Sequence, residues 1–191
     1  MHPIPPLPRR LTNTLLGAFL LAIAATFAPM AAMAGEKELT IQSSLDALPE
    51  RVRAMRADIL EAARSGDIEE MRPVLETNEL MPTVSFGGAS DPIAFWKETS
   101  GDKKGREILA ILIEILEMPF VRLRKGTSNE MFVWPYLAEL DLEKLTPEQE
   151  VDLYRLVKPA ELKTMREFGG YIWYRLGIGP DGTWHFFVAG D

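Results

Sequence analysis

The sequence predicts an α+β domain: a small, mostly antiparallel sheet built from hairpins, packed against a central apolar helix and several amphipathic ones. Three observations predict it. The run ILAILIEIL over residues 108–116 is apolar on nearly every side, as in a helix wrapped by other elements. Gly179-Pro180-Asp181-Gly182 sits between two aromatic-rich runs and dictates a tight reversal. The remaining segments run helices, strand, helices, hairpin, helices, hairpin, an order that suits an antiparallel sheet rather than repeated βαβ units.

Residues 1–34 are expected to be a signal peptide. Arg9 and Arg10 supply its charged start, Leu15 to Phe27 its apolar stretch, and Ala32-Met33-Ala34 the small residues a signal peptidase reads. The apolar run is shorter than the ~20 residues a bilayer span needs. Leu11-Thr12-Asn13 is a poor continuation of a twin-arginine signal, so the general secretory route is expected. With no cysteine in the chain there is neither a lipid attachment point nor a disulfide, and packing alone must hold the fold.

Residues 35–44 are polar and read as a flexible leader, and residues 45–191 as one globular domain. Leu45, Leu48, Val52, Met55, Ile59 and Ala63 recur at helical spacing and predict a helix from Ala47 to Arg64, ended by Gly66. Asp67-Ile68-Glu69-Glu70 reads as a capping box for a short second helix to Glu76. Thr83 to Phe86 is strand-like. Asp91-Pro92 caps a short helix, and Asp102 is expected to cap the central one, which runs to Met118. Glu107, Glu114 and Glu117 form its narrow polar stripe, read as solvated.

Phe120 to Lys125 and Glu130 to Tyr136 predict a hairpin. An even loop would set Lys125 opposite Glu130, Leu123 opposite Phe132 and Val121 opposite Trp134, with Arg122, Arg124, Met131 and Val133 on the other face. Pro135 should end the second strand or place it at an edge. Thr146-Pro147-Glu148-Gln149 is a capping box with proline at the first helical position, opening a helix through Val157. Pro159 breaks it, and a last helix runs from Ala160 to Phe168 before Gly169-Gly170.

The closing segment, YIWYRLGIGPDGTWHFFVAGD, carries the site candidates. The Gly-Pro-Asp-Gly corner predicts a three-residue loop flanked by Gly179 and Thr183. Strict alternation then pairs Ile178 with Trp184, Leu176 with Phe186 and Tyr174 with Val188 on a core face. It leaves Gly177 opposite His185, Arg175 opposite Phe187, Trp173 opposite Ala189 and Tyr171 opposite Asp191 on the second face. That second face offers Trp173 and Phe187 as platforms, with Arg175 and His185 as polar handles, for a ligand. Alternatively it is packing under a helix or loops, with the histidine as hydrogen-bonded structure. His185 is also the one catalytic candidate, as a general acid or base, although no serine or cysteine lies beside it in sequence.

Charge and composition restrict the chemistry. Removing the leader takes away two of 21 basic residues and none of the 28 acidic ones, leaving −9, a charge repelled by nucleic acid and anionic lipid. One histidine beyond the leader and no cysteine disfavour the usual zinc and haem ligand sets, and no phosphate-binding glycine motif occurs. No cofactor is expected, and no stable membrane insertion once the leader is cleaved.

Residues 136–157 (YLAELDLEKLTPEQEVDLYRLV) and 168–191 resemble small exported proteins of unknown function from alphaproteobacteria. The resemblance implies a periplasmic location and carries no activity or site residue. ARSGDIEEMRPVLE at 63–76, with DGTW at 181–184, is similar to nuclear transport factor 2-like (cystatin-like) α+β domains, which implies a fold class alone. Three functional readings follow. The first is a non-catalytic domain that binds a partner or cell-envelope component, with a glycan stacked on Trp173 as one such ligand. The second is a small hydrolase or isomerase using His185. The third is a structural subunit of a homo-oligomer.

Overall fold

A five-stranded antiparallel sheet, in the order β1-β2-β3-β4-β5, forms the middle layer. The strands are Ile41–Gln42 (β1), Phe120–Leu123 (β2), Met131–Trp134 (β3), Arg175–Ile178 (β4) and Trp184–Val188 (β5). Helices Glu50–Arg64 (α1), Met71–Thr77 (α2), Pro92–Thr99 (α3) and Arg106–Glu117 (α4) precede β2 in the chain. Pro147–Leu156 (α5) and Pro159–Phe168 (α6) lie between β3 and β4. The computed structural model describes residues 39–190, and the expected signal peptide lies outside them. Among the described residues no helix is long and apolar enough to cross a membrane.

Each face of the sheet buries its own core. The front core joins Phe120, Phe132, Trp134, Leu176, Ile178 and Phe187 to apolar residues of α1 to α4. The back core joins Val121 and Val133 to Leu153 of α5, Leu162 and Met165 of α6, and the 3-10 turn Tyr136–Glu139. Large apolar side chains sealed in this way contribute about 1.5–3 kcal/mol each. The central helix α4 is buried at Ile108, Leu109, Leu112, Ile115 and Leu116, but Ile111 and Ile113 are only half-buried. Arg56 of α1 closes its far end, donating through Nε and Nη2 to the Leu116 carbonyl at 3.0 and 2.7 Å.

Local signals set most helix ends. Asp91 Oδ1 accepts the Ile93 and Ala94 amides, and Thr146 with Gln149 forms the expected capping box. Gly169 ends α6 in the left-handed conformation (φ 92°), donating to the Met165 carbonyl. The central helix starts later than expected. Asp102 is not its cap, because its carboxylate accepts the Ser100 hydroxyl and the Lys104 amide within the preceding loop, and Gly105 stands at the cap position. Ile41 and Gln42, expected in the flexible leader, pair instead with Val121 and Phe120.

Both hairpins depart from simple alternation. In the first, Val121 pairs with Val133, Arg122 with Phe132 and Leu123 with Met131. Residues 124–130 therefore form an odd loop, not the even one expected. Glu130 leaves the strand and folds back, accepting the Gly126 amide at 2.6 Å and the Arg122 guanidinium at 2.6 Å, while Arg124 takes a positive φ. This correction moves Phe132 and Trp134 to the front beside Phe120, and Val121 and Leu123 to the back with Met131 and Val133. β3 is an interior strand that stops at Pro135.

In the closing hairpin the corner forms as expected. The Gly179 amide donates to Thr183, the Gly182 amide to Gly179, and Gly182 has φ 92°. Ile178 pairs with Trp184, but the register then shifts. Gly177 pairs with Phe186, Leu176 with Phe187 and Arg175 with Val188, so His185 is the extra residue of a β-bulge. The expected partners are thereby corrected. Phe187, assigned to the second face, is fully buried in the front core, and Phe186 turns to the back. Volume explains the bulge. Phe187 stacks on Tyr174 at 5.0 Å and meets Trp96 edge-on at 5.9 Å, while Phe186 takes the hollow that Gly177 leaves on the opposite face.

Candidate functional site

The segment 171–174 precedes β4 without being a strand, and it is fixed at three points. The Tyr171 hydroxyl donates to the Tyr174 carbonyl at 3.0 Å, Arg175 Nη1 to the Tyr171 carbonyl at 3.3 Å, and the Gly190 amide to the Ile172 carbonyl at 2.8 Å. The face expected to pair Trp173 with Ala189 therefore gives way to an irregular wall, and Asp191, expected opposite Tyr171, lies outside the described residues. Trp173 of this wall packs toward the back core, whereas Tyr174 packs on the front core.

Between this wall, α4 and α6 lies a cleft of about 430 Å³. Ile108 and Ile111 of α4, Met165 of α6 and Ile172 give it apolar sides, and the Trp173 and Tyr174 rings meet there edge to face at 5.4 Å. Size and lining match those of small-molecule sites, which run roughly 300–1,000 Å³ and are mostly apolar. A second hollow of about 250 Å³ shares Glu107, Ile111 and Trp173 with it, so these three residues border both compartments. Glu114 and Arg155, paired at 3.1 Å, line the second compartment.

Two carboxylates border the larger cleft, and each is oriented by a backbone amide. Glu107 Oε2, in the first turn of α4, accepts the Gly101 N–H at 2.5 Å. Glu161 Oε2, in the first turn of α6, accepts the Lys158 N–H at 2.6 Å. Helix starts favour carboxylates at these positions. Burial pushes the Tyr174 phenol up from its ordinary value, and the nearby Glu107 charge pushes the same way. The hydroxyls of Thr99 and Thr164, also on the lining, donate into their own helices at the Phe95 and Ala160 carbonyls. The cleft thus presents aromatic faces and two carboxylates side by side, and among the described residues its lining holds no hydroxyl paired with a base.

The four residues expected to form one ligand face are separated. Trp173 lines the cleft. Phe187 lies behind it, buttressing Tyr174 from within the core. Arg175 is half-buried and braces the wall through Tyr171. His185 sits at the opposite end of β4, about 13 Å of strand away. Its imidazole lies against Gly179 and Asp181 at the corner, and its carbonyl accepts the Thr83 amide at 2.9 Å. The Asp181 carboxyl is held below its ordinary value mainly by the Thr183 amide.

Sequence reasoning missed Tyr174, Glu107 and Glu161. Tyr174 was assigned to the core face, and the glutamates were masked by their ordinary place at helix starts or on a polar stripe. No protein-family model, curated protein or solved structure matches the chain.

Proposed function

We propose that the protein is an exported, non-catalytic binding domain of the cell envelope, and that the Trp173 cleft holds its ligand. The observation that carries this reading is an aromatic-walled cleft whose wall is held by hydrogen bonds of the protein itself to its backbone carbonyls. A pre-ordered wall lowers the entropic cost of binding. Export is supported by the charged start, apolar stretch and Ala-Met-Ala of residues 1–34. With that leader the location we propose is the periplasm.

A ligand-observed NMR screen with small aromatic and saccharide fragments tests the cleft. Wild type should broaden a subset of fragments, and Trp173→Ala and Ile111→Asp should abolish this while leaving the circular dichroism spectrum intact. Fragments held equally well by folded variants would overturn the assignment. Release of a mature chain beginning near Gly35 by osmotic shock tests export, and retention of full-length protein in the cytoplasm would sink it.

A further inference from the structure

We infer that the ligand of the Trp173 cleft is an amphiphilic cation, an amine or quaternary ammonium carried on an apolar or aromatic body. This deepens the proposed function and rests on the cleft being the binding site. The argument begins with charge pairing. Of the three carboxylates that line the cleft and the hollow beside it, Glu114 has found a cation of the protein, Arg155 at 3.1 Å. Glu107 and Glu161 have not. Among the described residues neither forms a salt bridge, and each spends one oxygen on a backbone amide. Among the described residues no hydrogen bond reaches the second oxygen of either.

Two such carboxylates border a cleft whose walls are Trp173 and Tyr174. An aromatic face attracts a cation within about 6 Å of its centroid through the ring quadrupole, and carboxylates add Coulomb attraction. The apolar residues Ile108, Ile111 and Met165 would take the hydrocarbon body. An anionic ligand would meet two like charges here, and a neutral one would leave both carboxylates unused. The net negative charge of the chain draws a cation toward the same mouth.

Three probes of matched shape separate this inference from the reading beneath it: 4-phenylbutylamine, 4-phenylbutanol and 4-phenylbutyrate, titrated into the folded protein by NMR. The amine should bind about tenfold more tightly than the alcohol at low salt, and the acid most weakly. Glu107→Gln and Glu161→Gln keep the amide-accepting oxygen. Each should weaken the amine several-fold and the alcohol far less, since the alcohol loses no charge attraction. Added salt should close the gap between amine and alcohol. Equal binding of amine and alcohol, or glutamine variants that leave the amine unaffected, would overturn the cation inference while the cleft survives as a site. If none of the three is held, or Trp173→Ala holds all three as wild type does, the cleft assignment falls as well.

Discussion

The ring of Phe186 fills the space that a β-carbon on Gly177 would need, directly across the β4–β5 pair. The glycine is therefore a packing requirement of the back face. Gly177→Ala should destabilise the domain by about 1–3 kcal/mol through overpacking. Urea unfolding measures this, and a double-mutant cycle with Phe186→Leu should recover part of the loss. An unchanged midpoint for Gly177→Ala would mean that the strand slides freely, against the bulged register.

Neighbouring residues of β5 should respond very differently to truncation. Phe187 is fully buried against Trp96 and Tyr174, so Phe187→Ala should cost about 3–5 kcal/mol. His185 is half-buried at the bulge, and His185→Ala should stay within about 1 kcal/mol of wild type. Thermal unfolding of the pair decides the matter. Similar losses at both positions would contradict the bulge.

Glu130 predicts an acid-sensitive hairpin. The Gly126 amide, and then Arg122, hold its carboxyl below the ordinary value of 4.5. The folded chain therefore binds that proton more weakly than the unfolded chain does. Its stabilising contribution is complete above about pH 4.5 and is lost as pH falls through the folded value. Denaturation midpoints below pH 4.5 should fall more steeply for wild type than for Glu130→Gln. Parallel curves would remove the group from the acid response.

The buried phenols act in the opposite direction. Burial pushes the Tyr171 phenol well above its ordinary value of 10.0; burial, and then the hydrogen bond to Asp152 at 3.0 Å, does the same for Tyr136. A raised phenol stabilises fully below pH 10 and loses that contribution as pH climbs further. Tyrosinate absorbance from these two, assigned with Tyr→Phe variants, should appear only as near-ultraviolet dichroism is lost. Reversible ionisation near pH 10 with the native signal intact would show that they are open to water.

Much of this architecture was legible because its signals are local. The Gly-Pro-Asp-Gly corner, the Thr146 capping box, the Asp91-Pro92 start and the apolar α4 each need only a few adjacent residues to be read. The bulge was not legible, because it depends on how Phe187 meets Trp96 and Tyr174, partners supplied from elsewhere in the chain. The β2–β3 register failed for a related reason. Loop parity turned on Glu130 folding back to Gly126 and Arg122, and a glutamate at a strand start does not announce that. The cleft draws residues from Thr99 to Ala189, and Trp173 alone among them stood out in one dimension. Glu107 looks the same on paper whether it faces bulk water or a ligand cavity.

Thr83 has a wider consequence. Its amide donates to the His185 carbonyl and its own carbonyl accepts the Phe187 amide, both at 2.9 Å, so a single residue occupies the outward-facing hydrogen-bonding groups at the centre of β5. A bare outer strand this rich in aromatic residues would invite cross-molecule β-pairing and fibre growth. With that strand clipped shut, the sheet's aromatic-rich edge is withdrawn from cross-molecule pairing, and the edge left to other copies is the two-residue strand Ile41–Gln42.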